Sequence, residues 1–508
     1  MKAALTIFML LILIPALALA QLSDRTWLLG YDEYPDMPGS GHAMIYFSAG
    51  SNDVQVDTTH LAFNFESTVA VAAASDGQLK FYSNGCEIAN RNHSVMPNGS
   101  GLNPGTLSEQ VCNWKGYVVQ QGAMSLPFPN DTSKFLLLHM GASYATGHGT
   151  QHGPLYYSTV DMTLDNGLGD VVAKNNLLLE GSLGSFTAIR HGNGRDWWIV
   201  VPEFGNKIWH TFLWSPTGFE ERPPQQISMF ASGCEHQESL VASLDGSRLA
   251  SWGDCKIAVT DFDRCDGVIS NPVDIYPPSN LLAGGGLAFS PSGRFLYATS
   301  QTVLFRADLE ASTIRLDTMR FSYDPNLQSP YDVPGNTFHY LENTPGGHIY
   351  GNAPSRRRYL HLLNNPDAPS QAALSFVPQG IALPALGART LPHFPNFNLY
   401  DLKDSVCDTL GINDPSVAVR DLKQEKTLSV FPNPFSDRLF IDAASASNIE
   451  FPLFFKLYQS SGQLLLEKKI NALPIEIELT NLPNTSYFYR IISPNTALSA
   501  DGLLMKGY

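Results

Sequence analysis

Two histidines four residues apart, His148 and His152, sit in the Gly-rich stretch Ala145-Thr-Gly-His-Gly-Thr-Gln-His-Gly153. On a helix that spacing would put both rings on one face for zinc, with a Glu between them as general base. Glycine opposes a helix here and no Glu lies between them, so a polar loop is the simpler expectation. No metal or other cofactor is expected. A second candidate is Cys234-Glu-His-Gln-Glu238, which sets His236 between Glu235 and Glu238 at the entrance to a strand-like run. Such a histidine serves a ligand site, or simply satisfies hydrogen bonds at a sheet edge. Arg356-Arg-Arg358 is the one basic cluster. It would suit a carboxylate or phosphate, but solvated surface is the favoured expectation. No Gly-x-Ser-x-Gly elbow, P-loop or dinucleotide fingerprint is present.

The elements that must position these groups read as sheet. From Phe63 to Leu363 an apolar strand, a Gly/Asp/Asn turn and a second apolar strand recur. Clear examples are Ser239-Leu-Val-Ala-Ser-Leu-Asp-Gly-Ser-Arg-Leu-Ala-Ser-Trp252 and Gly286-Leu-Ala-Phe-Ser-Pro-Ser-Gly-Arg-Phe-Leu-Tyr-Ala298. Turns at Asp76, Asp131, Asn193, Asp245, Ser292 and Gly346 are 55, 62, 52, 47 and 54 residues apart. A four-stranded propeller blade takes about 40–50 residues. The pattern resembles that of bacterial β-propellers with loosely related blades. The expected fold is therefore all-β: a β-propeller of seven blades over 21–400, followed by a small C-terminal β-sandwich. Strands at Ser239–Ala242 and Gly286–Ser290 are expected innermost. The strand Trp27–Gly30 is expected to pair with the C-terminal part of the body and close the ring, which removes open edges.

Composition agrees with such a body. Gly 41, Pro 34 and 11% aromatic residues suit a turn-rich β protein. Formal charge is −15, of which 428–508 carries −1 (six basic against seven acidic), so the acidity belongs to the body. An acidic surface without a basic stripe excludes nucleic acid as a partner and does not favour anionic lipid. The six cysteines, Cys86, Cys112, Cys234, Cys255, Cys265 and Cys407, are an even number and allow fifteen complete pairings. Local pairs within Cys86/Cys112 and within Cys234/Cys255/Cys265 are the expectation. All seven tryptophans precede residue 253; they would stack on sugars or, more simply, fill the core.

The two ends of the chain concern export. Lys2, the apolar run Leu5–Leu13 and Ala18-Leu-Ala20 read as a signal peptide over 1–20, cleaved between Ala20 and Gln21. No other stretch is apolar enough to span a bilayer. Segment 401–427 has ten charged residues among 27 and no aromatics, the composition of a linker. The tail, 428–508, opens with Ser429-Val-Phe-Pro-Asn-Pro-Phe-Ser-Asp437, continues through Leu457-Tyr-Gln-Ser-Ser-Gly462 and Leu479-Thr-Asn-Leu-Pro483, and ends in Gly502-Leu-Leu-Met-Lys506. Runs such as Ile475-Glu-Ile-Glu-Leu479 alternate as half-buried strands do.

This order of motifs resembles the type A C-terminal sorting domain of type IX secretion cargo. Its motif positions here are Pro432, Asn433, Pro434, Phe435, Asp437, Leu457, Tyr458, Gly462, Tyr487 and Lys506; Asn484-Thr-Ser486 departs from the usual Gly before Tyr487. The resemblance implies that type IX secretion machinery is a partner, and a secreted or outer-surface location reached through the periplasm. The run Leu391-Pro-His-Phe-Pro-Asn-Phe397 with Cys407-Asp-Thr-Leu-Gly411 is similar to that of uncharacterised cargo of this system.

Two function classes follow. In one the propeller is a binding module for an extracellular glycan or protein. In the other it is a hydrolase or lyase acting on carbohydrate or peptide, with carboxylates lining a central pocket. The first is favoured, since no catalytic constellation stands out and fold alone confers no chemistry.

Overall fold

Four successive hairpin turns share one hydrogen-bond pattern. After the strand Gln237–Ala242, Ser243 N donates to Arg248 O (2.9 Å) and Gly246 N donates to Ser243 O (2.9 Å). Gly246 sits at φ 72°, where a side chain would be strained. The pattern returns at Ser290–Phe295 and at His191–Asp196, and one residue shorter at Thr344–His348. Ser243, Ser290 and Thr344 are small polar starters, His191 begins the fourth turn, and glycine lets the chain reverse in each. The roughly fifty-residue spacing is thus the repeat of one hairpin.

The computed structural model describes residues 23–31, 41–48, 54–74, 77–145, 149–205, 207–227, 237–253, 256–278, 285–300, 303–319, 338–353, 357–387, 389–410, 428–433, 435–443, 451–459, 463–480, 482–493 and 499–506. The chain divides into two units, Met1–Val417 and Ala418–Tyr508. Among the described residues the first unit holds seven antiparallel sheets. Their innermost strands are Thr26–Tyr31, Ala70–Ala73, Ala123–Phe128, Thr187–Arg190, Gln237–Ala242, Leu287–Phe289 and Leu341–Asn343. The first sheet has three strands and the fourth gains a short extra one, Gln225–Gln226; the others have four.

Each sheet shares a core with the next, and the last with the first. Val71 packs with Leu28, Phe135 with Phe81, and Trp197 with Leu138. Leu240 packs with Trp198, Phe289 with Trp252, and Leu341 with Tyr297. Tyr350 and Leu360 of the seventh sheet then pack on Trp27 and Leu29 of the first. Strands covered on both faces read as continuous apolar runs, such as Trp197–Pro202, buried throughout. Outer strands are wet: Ile269–Ile275 is buried only at Ile269 and Ile275, with the five positions between them exposed to some degree. The body is a β-propeller.

Closure differs from the expectation. Thr26–Tyr31 pairs with Gly41–Phe47 in its own sheet, and the seventh sheet meets it by side-chain packing. Thr26–Tyr31 also runs opposite to the neighbouring inner strand: Phe65 N donates to Gly30 O (3.3 Å) and Thr26 Oγ1 to Gly77 O (2.8 Å). The run Leu391–Leu399 packs beside it and reaches several sheets. Leu391 joins the closing core, Phe397 the core of the third and fourth sheets, and Leu399 that of the fourth and fifth.

The stretch 401–410, expected to begin a linker, is bonded to the body. Leu402 N donates to Gly192 O (2.7 Å), and Cys407 is disulfide-bonded to Cys265 across 142 residues. The charged composition misled because one cysteine outweighs it. This bridge also corrects the pairing expected for Cys265. Cys86–Cys112 pairs locally, as expected, while Cys234, Cys255 and 411–427 lie outside the described residues. Arg357 is buried, against the expectation of solvated surface, and its backbone oxygen accepts from Gly387 N (2.7 Å); Arg358 is exposed, as expected, and reaches Pro384 O (2.9 Å). Arg356 lies outside the described residues.

In the second unit Leu428–Phe431, Arg438–Ala443 and Ile475–Glu478 form one sheet. Leu464–Ile470, Leu453–Gln459, Ser486–Ile492 and Ser499–Met505 form the other, in that order. Leu439, Ile441 and Ile477 of the first sheet share one core with Phe455, Leu457 and Ile491 of the second. This is a small β-sandwich.

Candidate functional site

Strand alternation and turn position bring a set of polar groups to the ring's centre. The strand Leu341–Asn343 carries Glu342 and Asn343 into the Thr344–His348 turn. Asp24 stands two residues before the strand Thr26–Tyr31. His393, Asn396 and Asn398 come from the Leu391–Leu399 run, where Asn396 Nδ2 donates to Leu244 O (2.5 Å). All six line one cavity of about 240 Å³. Its apolar wall includes Ile189, Val241, Leu287 and Phe394.

Glu342 is the fixed point. His393 Nδ1 lies 3.5 Å from Glu342 Oε2, both side chains being largely buried. Backbone hydrogen bonds at Phe394 and Asn343 also reach the Glu342 carboxylate. Burial nevertheless pushes the Glu342 carboxyl above its ordinary value, because desolvation outweighs those contacts. Burial likewise pushes the Asp24 carboxyl up to about 6; Glu342 adds to the rise and Arg25 opposes it. Gln121, held at φ 48°, braces the centre: its Oε1 accepts from Leu240 N (3.0 Å) and its Nε2 lies 3.5 Å from His393 Nδ1. Four buried atoms of the cavity lining, Asp24 Oδ1, Asn343 Oδ1, Asn398 Oδ1 and His393 Nε2, have no hydrogen-bond partner among the described residues.

The residues singled out in the sequence lie elsewhere. His152 is on the strand Gly149–Asp161, opposite Ala142, so the one-face geometry of a helix does not arise. His148, Glu235 and His236 fall outside the described residues, and Glu238 is described only as part of the strand Gln237–Ala242. Among the described residues no three His, Cys, Asp or Glu side chains converge as metal ligands. A histidine between two carboxylates does occur, at His210, whose ring nitrogens lie 3.1 Å from Glu203 and from Glu221 on the fourth sheet. Trp27, Trp197, Trp198, Trp209 and Trp252 are fully buried, so they are core; Trp114 is exposed. Asp24, Glu342 and His393 escaped the sequence reading because they are far apart in the chain. The one local signal was the Leu391–Phe397 run, which holds His393.

In the tail the motif residues converge. Phe435 is buried; its N donates to Met505 O (2.8 Å) and it bridges to Lys506 in parallel. Asn433 Oδ1 accepts from Met505 N (2.8 Å). Lys506 Nζ lies 3.4 Å from Asp437 Oδ1 and donates to Leu479 O (2.9 Å). Phe435 and Tyr487 rings are 6.3 Å apart, and Tyr487 OH donates to Pro483 O (2.6 Å). Leu457 is core, Tyr458 lies beside it on the strand Leu453–Gln459, and Pro432 precedes Asn433 on the exposed side. Pro434, Gly462, Ala20 and Gln21 lie outside the described residues. No helix among the described residues is long and apolar enough to cross a membrane.

Among solved structures the chain is similar to a putative 6-phosphogluconolactonase from Bacteroides fragilis at 11% identity, over 72% of this chain and 98% of that one, with a TM-score of 0.42. The periplasmic gluconolactonase of Pseudomonas aeruginosa is similar at 13% identity, over 72% and 98%, with a TM-score of 0.37. A β-propeller domain from Myceliophteria thermophila is similar at 11% identity, over 64% and 92%, with a TM-score of 0.34. No curated protein sequence matches the chain. Residues 429–501 match the secretion system C-terminal sorting domain. With its motif residues gathered around Phe435 and Lys506, that domain marks the chain as cargo of type IX secretion, bound for the outer surface or the medium.

Proposed function

We propose that the propeller is a binding module, carried out of the cell by its tail after a signal peptide over 1–20, whose ligand sits in the central cavity. The observation that carries this reading is the cavity itself. It combines an apolar wall with a few polar residues, Asp24, Asn343, His393, Asn396 and Asn398, the composition of a ligand pocket. Glu342 is held by His393 and by backbone, which suits a structural anchor better than a mobile acid. The test is a glycan and peptide panel screened with the full chain and with Asn398→Trp, which fills the cavity. Binding that the filled cavity loses supports the reading.

A second reading rests on Asp24. Its raised carboxyl beside a second raised carboxyl, Glu342, is what a general acid working near neutral pH requires. Turnover of chromogenic glycosides or peptides that Asp24→Asn abolishes would favour a hydrolase over a binder.

A further inference from the structure

The chain leaves the ring's centre through a half-exposed stretch that a single bridge fastens. Up to Phe397 packing holds the Leu391–Leu399 run, with Leu391, His393 and Phe397 buried. From Asn398 to Leu410 little apolar surface is covered: Val406 is 89% exposed, and Tyr400 and Leu410 are exposed as well. Asn398 and Leu399, where this stretch begins, still line the central cavity. Leu402 N donates to Gly192 O (2.7 Å), and Tyr400 O accepts from the Arg264 guanidinium. The Cys265–Cys407 disulfide then ties the stretch to the turn that follows the strand Ile257–Phe262. Its seat is shaped to it: a methyl at Gly192 would collide with Cys407 Sγ, and one at Gly194 would come within 2.9 Å of Asp401 N. Cys407 is buried, Cys265 is half-buried, and Asp266, Lys403, Asp404 and Val406 beside them are exposed, so a small thiol can reach the bridge.

Resting on the binding-module reading for its consequence, we propose that residues 398–407 are a flap at the cavity's edge, latched by the Cys265–Cys407 bridge and freed by a dithiol reductant. A segment with few buried apolar contacts opens at low cost. The bridge withholds that opening by keeping the flap beside its seat at Gly192 and Gly194. In the reduced form Leu399 leaves the core of the fourth and fifth sheets and uncovers the edge of the cavity, while the buried Leu391–Phe397 part stays in place. The step is thiol–disulfide exchange. A thiolate of the dithiol attacks one bridge sulfur, the S–S bond breaks, and the departing sulfur takes a proton. The second thiol of the reductant then displaces the other cysteine. Two electrons pass to the bridge, which becomes two thiols, and the dithiol becomes a cyclic disulfide. Outside the cell disulfides persist, so the exported chain carries its flap shut.

The test is hydrogen exchange of the full chain read by mass spectrometry, untreated and after dithiothreitol, with Cys265→Ser/Cys407→Ser as a variant that needs no reductant. Amides of 398–410, that of Leu402 among them, should exchange at least about tenfold faster once the bridge is open, while the inner strand Gln237–Ala242 stays protected over the same labelling times. Dithiothreitol on the wild-type chain decides this if the variant does not fold. Val241→Cys puts a thiol on the cavity wall, and its maleimide labelling should be at least about tenfold faster in the Cys265→Ser/Cys407→Ser background than with the bridge intact. Unchanged protection of 398–410, or loss of protection in Gln237–Ala242 at the same times, would overturn the flap. Equal labelling of Val241→Cys in the two backgrounds would overturn its control of the cavity. No ligand enters these measurements, so their failure leaves the binding-module reading in place, and failure of the glycan and peptide panel leaves the flap in place.

Discussion

His393 Nδ1 stands 3.5 Å from Glu342 Oε2, joining a run that crosses the ring's centre to an inner strand of the seventh sheet. The pair is the only contact of an acid with a base among the titratable residues of the cavity lining that are described. Removing the ring leaves a buried carboxyl with fewer partners. His393→Ala should therefore cost about 1–3 kcal/mol of stability, read by urea unfolding of the full chain. A change under about 0.5 kcal/mol, ordinary for surface positions, would mean that the run is not anchored there.

Asp24 gives a pH dependence with a definite sign. Its folded carboxyl titrates at about 6 against an ordinary 3.8, so between these values the folded state binds the extra proton. The cost of ionising it is absent below about pH 4 and fully present above about pH 6, so its contribution makes the chain less stable as pH rises through that window. Asp24→Asn should be more stable than wild type at pH 7 and show a flatter profile from pH 7 to 5. Thermal melts across that range check it; parallel wild-type and variant profiles would contradict it.

The Cys265–Cys407 bridge closes a loop of 142 residues. In the chain-entropy model a loop of this order is worth about 4–5 kcal/mol. Cys407→Ser should lower the melting temperature markedly, and non-reducing peptide mapping should find Cys265 joined to Cys407. A peptide joining Cys265 to Cys234 or Cys255 would contradict the arrangement.

Ring closure by packing puts Trp27, fully buried, between the first and seventh sheets. Its ring is 5.7 Å from that of Tyr350. Trp27→Ala should cost about 3–5 kcal/mol, as large core truncations do. A loss of less than about 1 kcal/mol in urea unfolding would show that closure does not depend on this contact.

Phe435 and Lys506 tie the two motif ends of the tail together. Deleting 428–508, or replacing Phe435 by Asp, should stop secretion while the body still folds. Immunoblots of medium, cell surface and periplasm read this. Normal appearance of either variant outside the cell would contradict the sorting role.

What was legible in the sequence was local. The turns at Ser243–Arg248 and Ser290–Phe295 were readable because a polar starter and a glycine specify them within six residues. Cys86 and Cys112 are near neighbours in sequence and pair. What was hidden depends on distance along the chain. Cys265 finds a partner 142 residues away, inside a stretch whose charge reads as linker. The strand at Trp27 meets the seventh sheet through side chains, which leaves no pairing pattern to read. The cavity draws Asp24, Glu342 and His393 from three remote segments, whereas the sequence drew the eye to histidines with acidic or histidine neighbours.

The most direct measurement of the central claim is binding of the full chain to a glycan and peptide panel, compared with Asn398→Trp at matched folding. At least one saturable ligand is expected, whose affinity falls tenfold or more in the filled-cavity variant. Ligands bound equally by both proteins, or none bound by the wild type, would contradict a binding module centred on this cavity.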